Sequence, residues 1–306
     1  MKRFFGLLIF SLSLTVQSLA VQSLAVKSLA MLGHETSISI MAYNAENLFD
    51  ATHDEGTNDW TFLPVVVKKA SPEVQKFCQA MAPGNYQDKC FNLDWTDSVY
   101  RKKLANISSI VRAFGIKGAG PDVVVLEEIE SIGVLDTLIT TGLKGMGYSH
   151  RVLIEGDDRR GIDIGLISRY PIVSATRHPV VLDGKKLSTR GVLEVELDVQ
   201  GKKLVVLGNH WPSQANPVAH RIASAELVAS LAASHKAAFV VAVGDFNTID
   251  KDKPYPFDVL SQFVDSETEA RKQNVELNPG TYLSNGRWNS LDRIFVRQGG
   301  VLTPDW

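Results

Sequence analysis

Asp245 and Asn247 follow the apolar run Phe239–Val243, which breaks at Gly244 and delivers a carboxylate and a carboxamide two residues apart. The run is β-rich and reads as a strand buried on both faces. Side chains two apart on an extended backbone point the same way, so the pair is expected to share one face at the strand's end. The plain alternative is an Asx turn that merely closes a strand. The pattern recurs elsewhere. Strand-like segments also end in, or carry, Asn44, Glu128, His210 and Asp292. Together these carboxylates, carboxamides and an imidazole suit phosphoryl transfer. A hard cation such as Mg²⁺ takes oxygen ligands and keeps several waters, so one or two carboxylates with a carboxamide suffice. In-line displacement at a phosphodiester needs an oriented water and stabilisation of equatorial charge.

These residues need strands to carry them and helices to separate the strands. Ser37–Tyr43 alternates like a strand, Asp122–Leu126 reads as a buried strand, and Lys203–Gly208 as another. Ile162–Ser168, Pro179–Leu182, Val192–Val199 and Ser290–Val296 are further strands, and Tyr148–Ile154 one more. Helices are expected over about 97–114, 133–143 and 217–235. Residues 50–97 differ: rich in Asp, Asn, Pro and Lys, they read as a long excursion from the scaffold. No linker or composition break follows, so one domain is expected over 31–306.

Residues 1–30 read as an export leader. Lys2 and Arg3 precede the apolar run Phe4–Phe10, which is too short to anchor the chain stably in a bilayer. A five-residue repeat follows (Val16–Ala20, Val21–Ala25, Val26–Ala30) and offers cleavage after Ala20, Ala25 or Ala30. A period of five matches no solenoid or heptad. The expected destination is the periplasm or the exterior. The two cysteines, Cys78 and Cys90, are then expected to form one disulfide across a short loop. Without the leader, 29 basic residues face 34 acidic ones, a net charge near −5. That excludes a globally basic nucleic-acid coat; phosphate must be bound locally, by a few arginines or a metal ion.

The motifs Tyr43-Asn44, Leu126-Glu127-Glu128-Ile129, Asn209-His210-Trp211-Pro212-Ser213, Gly244-Asp245-Phe246-Asn247 and Leu291-Asp292-Arg293 resemble, in order, those of the endonuclease/exonuclease/phosphatase superfamily. Asn44–Asp50, Arg160-Gly161-Ile162-Asp163 and His210–Ser213 look most like its exported bacterial nuclease branch. The resemblance covers about residues 37–297, leaving out the excursion. It implies an α/β fold of the DNase I type: a four-layered sandwich of two packed mixed β-sheets flanked by helices. It also implies roles. Glu128 would be the main metal ligand with Asn44 beside it, for Mg²⁺ or else Mn²⁺ or Ca²⁺. Glu127, adjacent and pointing the other way on a strand, would not be a ligand. Asp245 and Asn247 would orient water and hold phosphate. His210 would bond the phosphate or protonate a leaving oxygen, as a near-neutral pKa permits. Arg160 and Arg190 would clamp phosphate oxygens.

One departure stands out. Family members carry a Ser-Asp-His motif after the Leu-Asp-Arg strand, and its histidine pairs with the aspartate matching Asp292. The ten residues after Val296 hold no histidine. Loss of that strand would leave a sheet edge unpaired. The expected protein is a monomeric, exported, metal-dependent nuclease acting on DNA or RNA. Two alternatives stay open: a phospholipid or phosphoinositide phosphodiesterase of the same fold, or a catalytically impaired phosphate-binding member. Trp60, Trp95, Trp211 and Trp288 are expected to pack in core or loops in preference to stacking on bases.

Overall fold

In the computed structural model, residues 23–31, 34–114, 119–236, 238–275 and 277–298 are described. Chain order runs β1 (Ser23–Met31), β2 (His34–Leu48), α1 (Val65–Ala70), α2 (Pro72–Ala80), α3 (Asn85–Asn92), α4 (Asp97–Ala113) and β3 (Val123–Ile129). Next come α5 (Ile132–Thr137), β4 (His150–Leu153), β5 (Asp163–Ser168), β6 (Ile172–His178), β7 (Val181–Leu182), β8 (Lys185–Lys186) and β9 (Val192–Val199). The last part holds β10 (Lys202–His210), α6 (Val218–Ser234), β11 (Phe239–Asp245), β12 (Phe263–Asp265), α7 (Ser266–Lys272), β13 (Tyr282–Ser284), β14 (Arg287–Asn289) and β15 (Asp292–Arg297).

Strands whose residues are apolar on both faces demand cover on both sides, and that produces the layers. In β11, Val241 and Val243 face a core between two sheets, while Val240 and Ala242 face α6. In β3, Val123 and Val125 join the same inter-sheet core, while Val124 and Leu126 pack under α4 and α5. The sheets have orders β1-β2-β3-β5-β4 and β12-β15-β11-β10-β9-β6. The result is helix, sheet, sheet, helix, the expected four-layered α/β sandwich.

Each sheet owes its mixed character to one crossover. β2 and β3 run parallel, as do β10 and β11, and the other neighbours in the six-stranded sheet pair antiparallel. Two parallel strands need a long connection, and α6 supplies the second one. α4 is capped by Thr96, whose side chain accepts from the Val99 N–H, and it buries Tyr100, Leu104, Ile107 and Val111. β15 is not left as an edge: β12 pairs with it, from Phe263 opposite Arg297 to Asp265 opposite Phe295. Unpaired-edge exposure at that strand is therefore absent.

Residues 50–97 are more ordered than their composition suggested. They hold α1, α2 and α3, the last two joined by a Cys78–Cys90 disulfide with the Cα atoms 5.6 Å apart. Lys68 is fully buried, and its ammonium donates to the carbonyls of Thr61 at 2.5 Å and Leu93 at 2.7 Å. The periodicity was too short to read because each helix is under three turns. The expected leader falls, for residues 1–22, outside the described residues; from Ser23 the chain runs as β1, antiparallel to β2.

Candidate phosphodiester-hydrolysing site

Register brings the polar strand ends together. In the first sheet Asn44 lies opposite Glu127, one residue before Glu128. In the second, His210 lies opposite Asp245, and Asp245 opposite Asp292. The sheets pack so that these ends meet. The Asn44 carboxamide donates to Glu128 Oε1 at 3.3 Å and to Asp245 Oδ2 at 3.0 Å, joining residues 201 apart in sequence. His210 Nε2 stands 3.7 Å from Glu128 Oε1 and 3.8 Å from Asp245 Oδ2.

Local backbone shapes aim these groups. Both ladders of β3 shift register around Glu128, whose φ is +62°, so a bulge rotates this side chain out of strand alternation. A non-glycine residue in that region carries backbone strain of the kind found at functional sites. Gly244, at φ +133°, admits no side chain: a Cβ there would stand 2.0 Å from the Asn209 carbonyl oxygen. Asn247 is not extended but left-handed, at φ +45°. Its N–H donates to Asp245 Oδ1 at 2.7 Å and its carboxamide to the Trp211 carbonyl at 3.1 Å. The expectation that a shared strand face unites Asp245 and Asn247 is corrected: an Asx turn does so, and turn and site are one structure.

Burial sets the electrostatics. Asp245 is pushed up to about 8, first by desolvation and then by Asp292; the Asn247 N–H and Asn44 amide oppose this. Asp292 is raised by desolvation, and its Oδ1 is buried without a hydrogen-bond partner. Crowded, desolvated carboxylates with an orphaned oxygen suit a divalent cation, which neutralises them. Among the described residues no three carboxylate, imidazole or thiolate groups form a cage by themselves. The fitting arrangement is therefore a sparse one, with carboxylate and carboxamide oxygens completed by water, as hard Mg²⁺ accepts.

The cationic side is built by one carboxylate. Asp158 takes Arg160 in two bonds, at 3.0 and 2.7 Å, and also receives Arg190 at 3.2 Å. Arg190 is 7 % exposed and donates to the Trp211 carbonyl, which ties it to the His210 loop. His210 is held well below its ordinary pKa by burial and by Arg190 and Arg160. The imidazole is thus biased toward its neutral form.

The profile of the Endonuclease/Exonuclease/phosphatase family matches residues 82–305. The chain belongs to the endonuclease/exonuclease/phosphatase family. Members are divalent-metal-dependent phosphodiester hydrolases, and membership supports a hydrolase. No curated protein sequence matches it significantly. Among solved structures it is similar to sphingomyelinase C from Streptomyces griseocarneus, at 15% identity and TM-score 0.46, over 87% of this chain and 85% of that one. The human nocturnin catalytic domain with bound sulfate is 17% identical at TM-score 0.46, covering 58% and 70%. A beta toxin variant from Staphylococcus aureus with bound magnesium ions is 17% identical at TM-score 0.43, covering 64% and 77%. What each of these acts on is a property of that protein.

The structure brings together Asn44, Glu128, His210, Asp245, Asn247 and Asp292, with Arg190 linked to them through Trp211. Arg160 stands at the rim, 55% of its side chain exposed. Three other histidines lie against carboxylates away from this centre: His53 with Asp59, and His178 and His235 with Glu194. Trp95 and Trp211 are buried, as expected. Sequence reasoning missed Asp158 and Lys103, and left Glu127 without a role beyond not being a ligand. Asp158 organises both arginines. Lys103 donates to the Glu46 carbonyl and acts electrostatically on Glu128. Glu127 is fully buried beneath Gly244, neither oxygen is bonded, and Asp292 and Asp245 help raise its pKa. The doubled glutamate and the carboxylate two residues before Arg160 were the available signals.

Proposed function

We propose that this protein is an exported, divalent-metal-dependent phosphodiesterase that cleaves nucleic acid. The observation that carries it is the meeting of Asn44, Glu128, His210, Asp245 and Asp292 at adjoining sheet ends, beside the Asp158-bridged arginines. Glu128 and Asn44 would hold the cation, Mg²⁺ first and Mn²⁺ or Ca²⁺ as alternatives. Bound there, the cation supplies positive charge to a phosphate oxygen. Asp245, ionised once the crowding that raises its pKa is relieved, would accept a proton from water. Asn247 and His210 bond phosphate oxygens, and Asp292 orients the centre. Arg190 and Arg160 offset equatorial charge.

The disulfide suits an oxidising compartment, and among the described residues no helix is long and apolar enough to cross a membrane. The test is hydrolysis of plasmid DNA, RNA and sphingomyelin with Mg²⁺, Mn²⁺, Ca²⁺ or EDTA. Cleavage of DNA or RNA that stops in EDTA is the expected result. Turnover of sphingomyelin alone, or equal activity in EDTA, sinks the reading.

A further inference from the structure

The loop joining β4 to β5 carries Asp157, Asp158 and Arg160, and it is fastened on several sides. The Gly156 N–H donates to Asp163 Oδ1 at 2.6 Å, the Asp157 N–H to the Thr189 carbonyl at 3.1 Å, and Ser188 Oγ to the Asp157 carbonyl at 2.6 Å. From the block at 50–97, the Asn58 N–H donates to the Arg159 carbonyl at 2.7 Å, and Phe49 and Trp95 pack with Ile162. Asp158 is therefore held in place, with 11% of its side chain exposed.

That fixed carboxylate is occupied by both cations of the site. Its oxygens accept from Arg160 Nε at 3.0 Å and Nη2 at 2.7 Å, and from Arg190 Nη1 at 3.2 Å. Burial works to raise the Asp158 pKa, but Arg160 and then Arg190 more than offset it, so the group stays ionised. A carboxylate bonded through both oxygens to a guanidinium fork makes the contacts that a phosphate would make. Arg190 keeps one uncommitted donor, its Nε, buried without a partner. Its Nη2 donates to the Trp211 carbonyl at 2.9 Å, an oxygen that also accepts from Asn247 at 3.1 Å. Arg160 lies one carboxylate further out, at the rim. The two arginines thus stand in series from the centre outward.

We propose that Asp158 is an internal competitor for Arg160: a specificity-determining residue that yields this guanidinium to a phosphate of a polynucleotide and withholds it from an isolated phosphate. The proposal rests on the nucleic-acid reading above. A free anion must displace a carboxylate already tethered at the guanidinium, where its effective concentration is high. A strand held at the sheet ends by one phosphate presents its next phosphate on the same tethered terms. A small phosphodiester or a lipid head group with one phosphate cannot. Asp157, next in the chain, pairs instead with Arg177 at 2.9 Å and Lys186 at 2.8 Å, and serves as the control.

The first arm of the test is calorimetric binding of inorganic phosphate in EDTA at fixed ionic strength. Asp158→Asn should bind it roughly 10- to 100-fold more tightly than wild type, the scale of the charge-assisted hydrogen bonds released to it. Adding Arg160→Ala should abolish that gain. Arg160→Ala alone and Asp157→Asn should stay within about 2-fold of wild type. The second arm reads KM and kcat in Mg²⁺ on an oligonucleotide and on methyl p-nitrophenyl phosphate. Arg160→Ala should raise KM for the oligonucleotide roughly 10-fold and leave that for the small ester alone. Phosphate affinity unchanged or weaker in Asp158→Asn overturns the proposal and leaves Asp158 a strut for the arginines. An Arg160→Ala loss equal on both substrates overturns it too. If Asp158→Asn does not fold, Arg160→Ala decides, because its side chain stands at the rim. If wild type cleaves no nucleic acid, the parent reading fails, while the phosphate series still decides Asp158.

Discussion

At the sheet ends the chain buries polar groups that it does not satisfy; in the block at 50–97 it satisfies those that it buries. Glu127, Asp292 Oδ1, His210 Nδ1 and Arg190 Nε are all buried without hydrogen-bond partners, and all lie in or under the site. Within residues 50–97 no such atom occurs, and even fully buried Lys68 has its carbonyls. An unsatisfied buried polar group costs about 1–3 kcal/mol, more if charged. The site therefore carries a cost in the metal-free protein, and the block carries none of that kind. The difference separates a region shaped for a ligand from one shaped for rigidity.

The largest effect should come from removing a site charge. Asp245→Asn is expected to cut phosphodiester turnover about a thousandfold, the scale of losing a catalytic proton acceptor or charge stabiliser. It should not lower the melting temperature in EDTA at pH 8, because the carboxylate that it removes is buried against Asp292. A large drop in melting temperature with turnover intact would invert the comparison. Next comes the staple. Cys78→Ser with Cys90→Ser should cost about 2–3 kcal/mol of unfolding free energy in denaturant titration, from the closed loop that it opens. Turnover of a small phosphodiester such as methyl p-nitrophenyl phosphate should change little, since the block is not the reacting centre. Loss of that turnover in a folded variant would show that the block belongs to the chemistry.

The smallest effect is on pH. Asp245 and Glu130 are raised to about 8 and Asp163 to about 7, each chiefly by desolvation. Carboxyl groups whose folded pKa exceeds the unfolded value near 4 favour folding fully below that value. The contribution is lost as pH rises toward 7–8. The melting temperature in EDTA should therefore fall by roughly 2–4 °C between pH 5 and 8.5, and Mg²⁺ should restore more of it at the upper end. A metal-free melting temperature that rises over that range would contradict the burial of these groups.

Much of the site could be read along the chain because its parts are local. A β-rich run followed by Gly244, Asp245 and Asn247 is visible in eight residues, and Asn209-His210-Trp211-Pro212 in four. The layers were equally legible, since β3 and β11 are apolar at successive positions and so need cover on both faces. The excursion was less so. Its helices are short, their ends are set by Ser71, Gly84 and a disulfide, and their packing depends on one buried lysine. Asp158 looked like one acid in a solvated charged loop; only the nearness of Arg190, thirty-two residues later, makes it a bridge.

By itself the sequence determined which groups are present, in which order, and at the ends of which strands. It also determined the family, because those short strings are covalent neighbours and need no fold to be recognised. Tertiary structure decided everything that depends on distance between them. It placed Asn44 against Asp245 across 201 residues, turned Glu128 outward through a bulge, and buried Glu127 below. Burial also decided the protonation of Asp245 and His210, because desolvation and neighbouring charge are properties of the folded interior. Through contacts at Ile162, Arg159 and Gly161, it set a stapled block against the loop that carries Arg160.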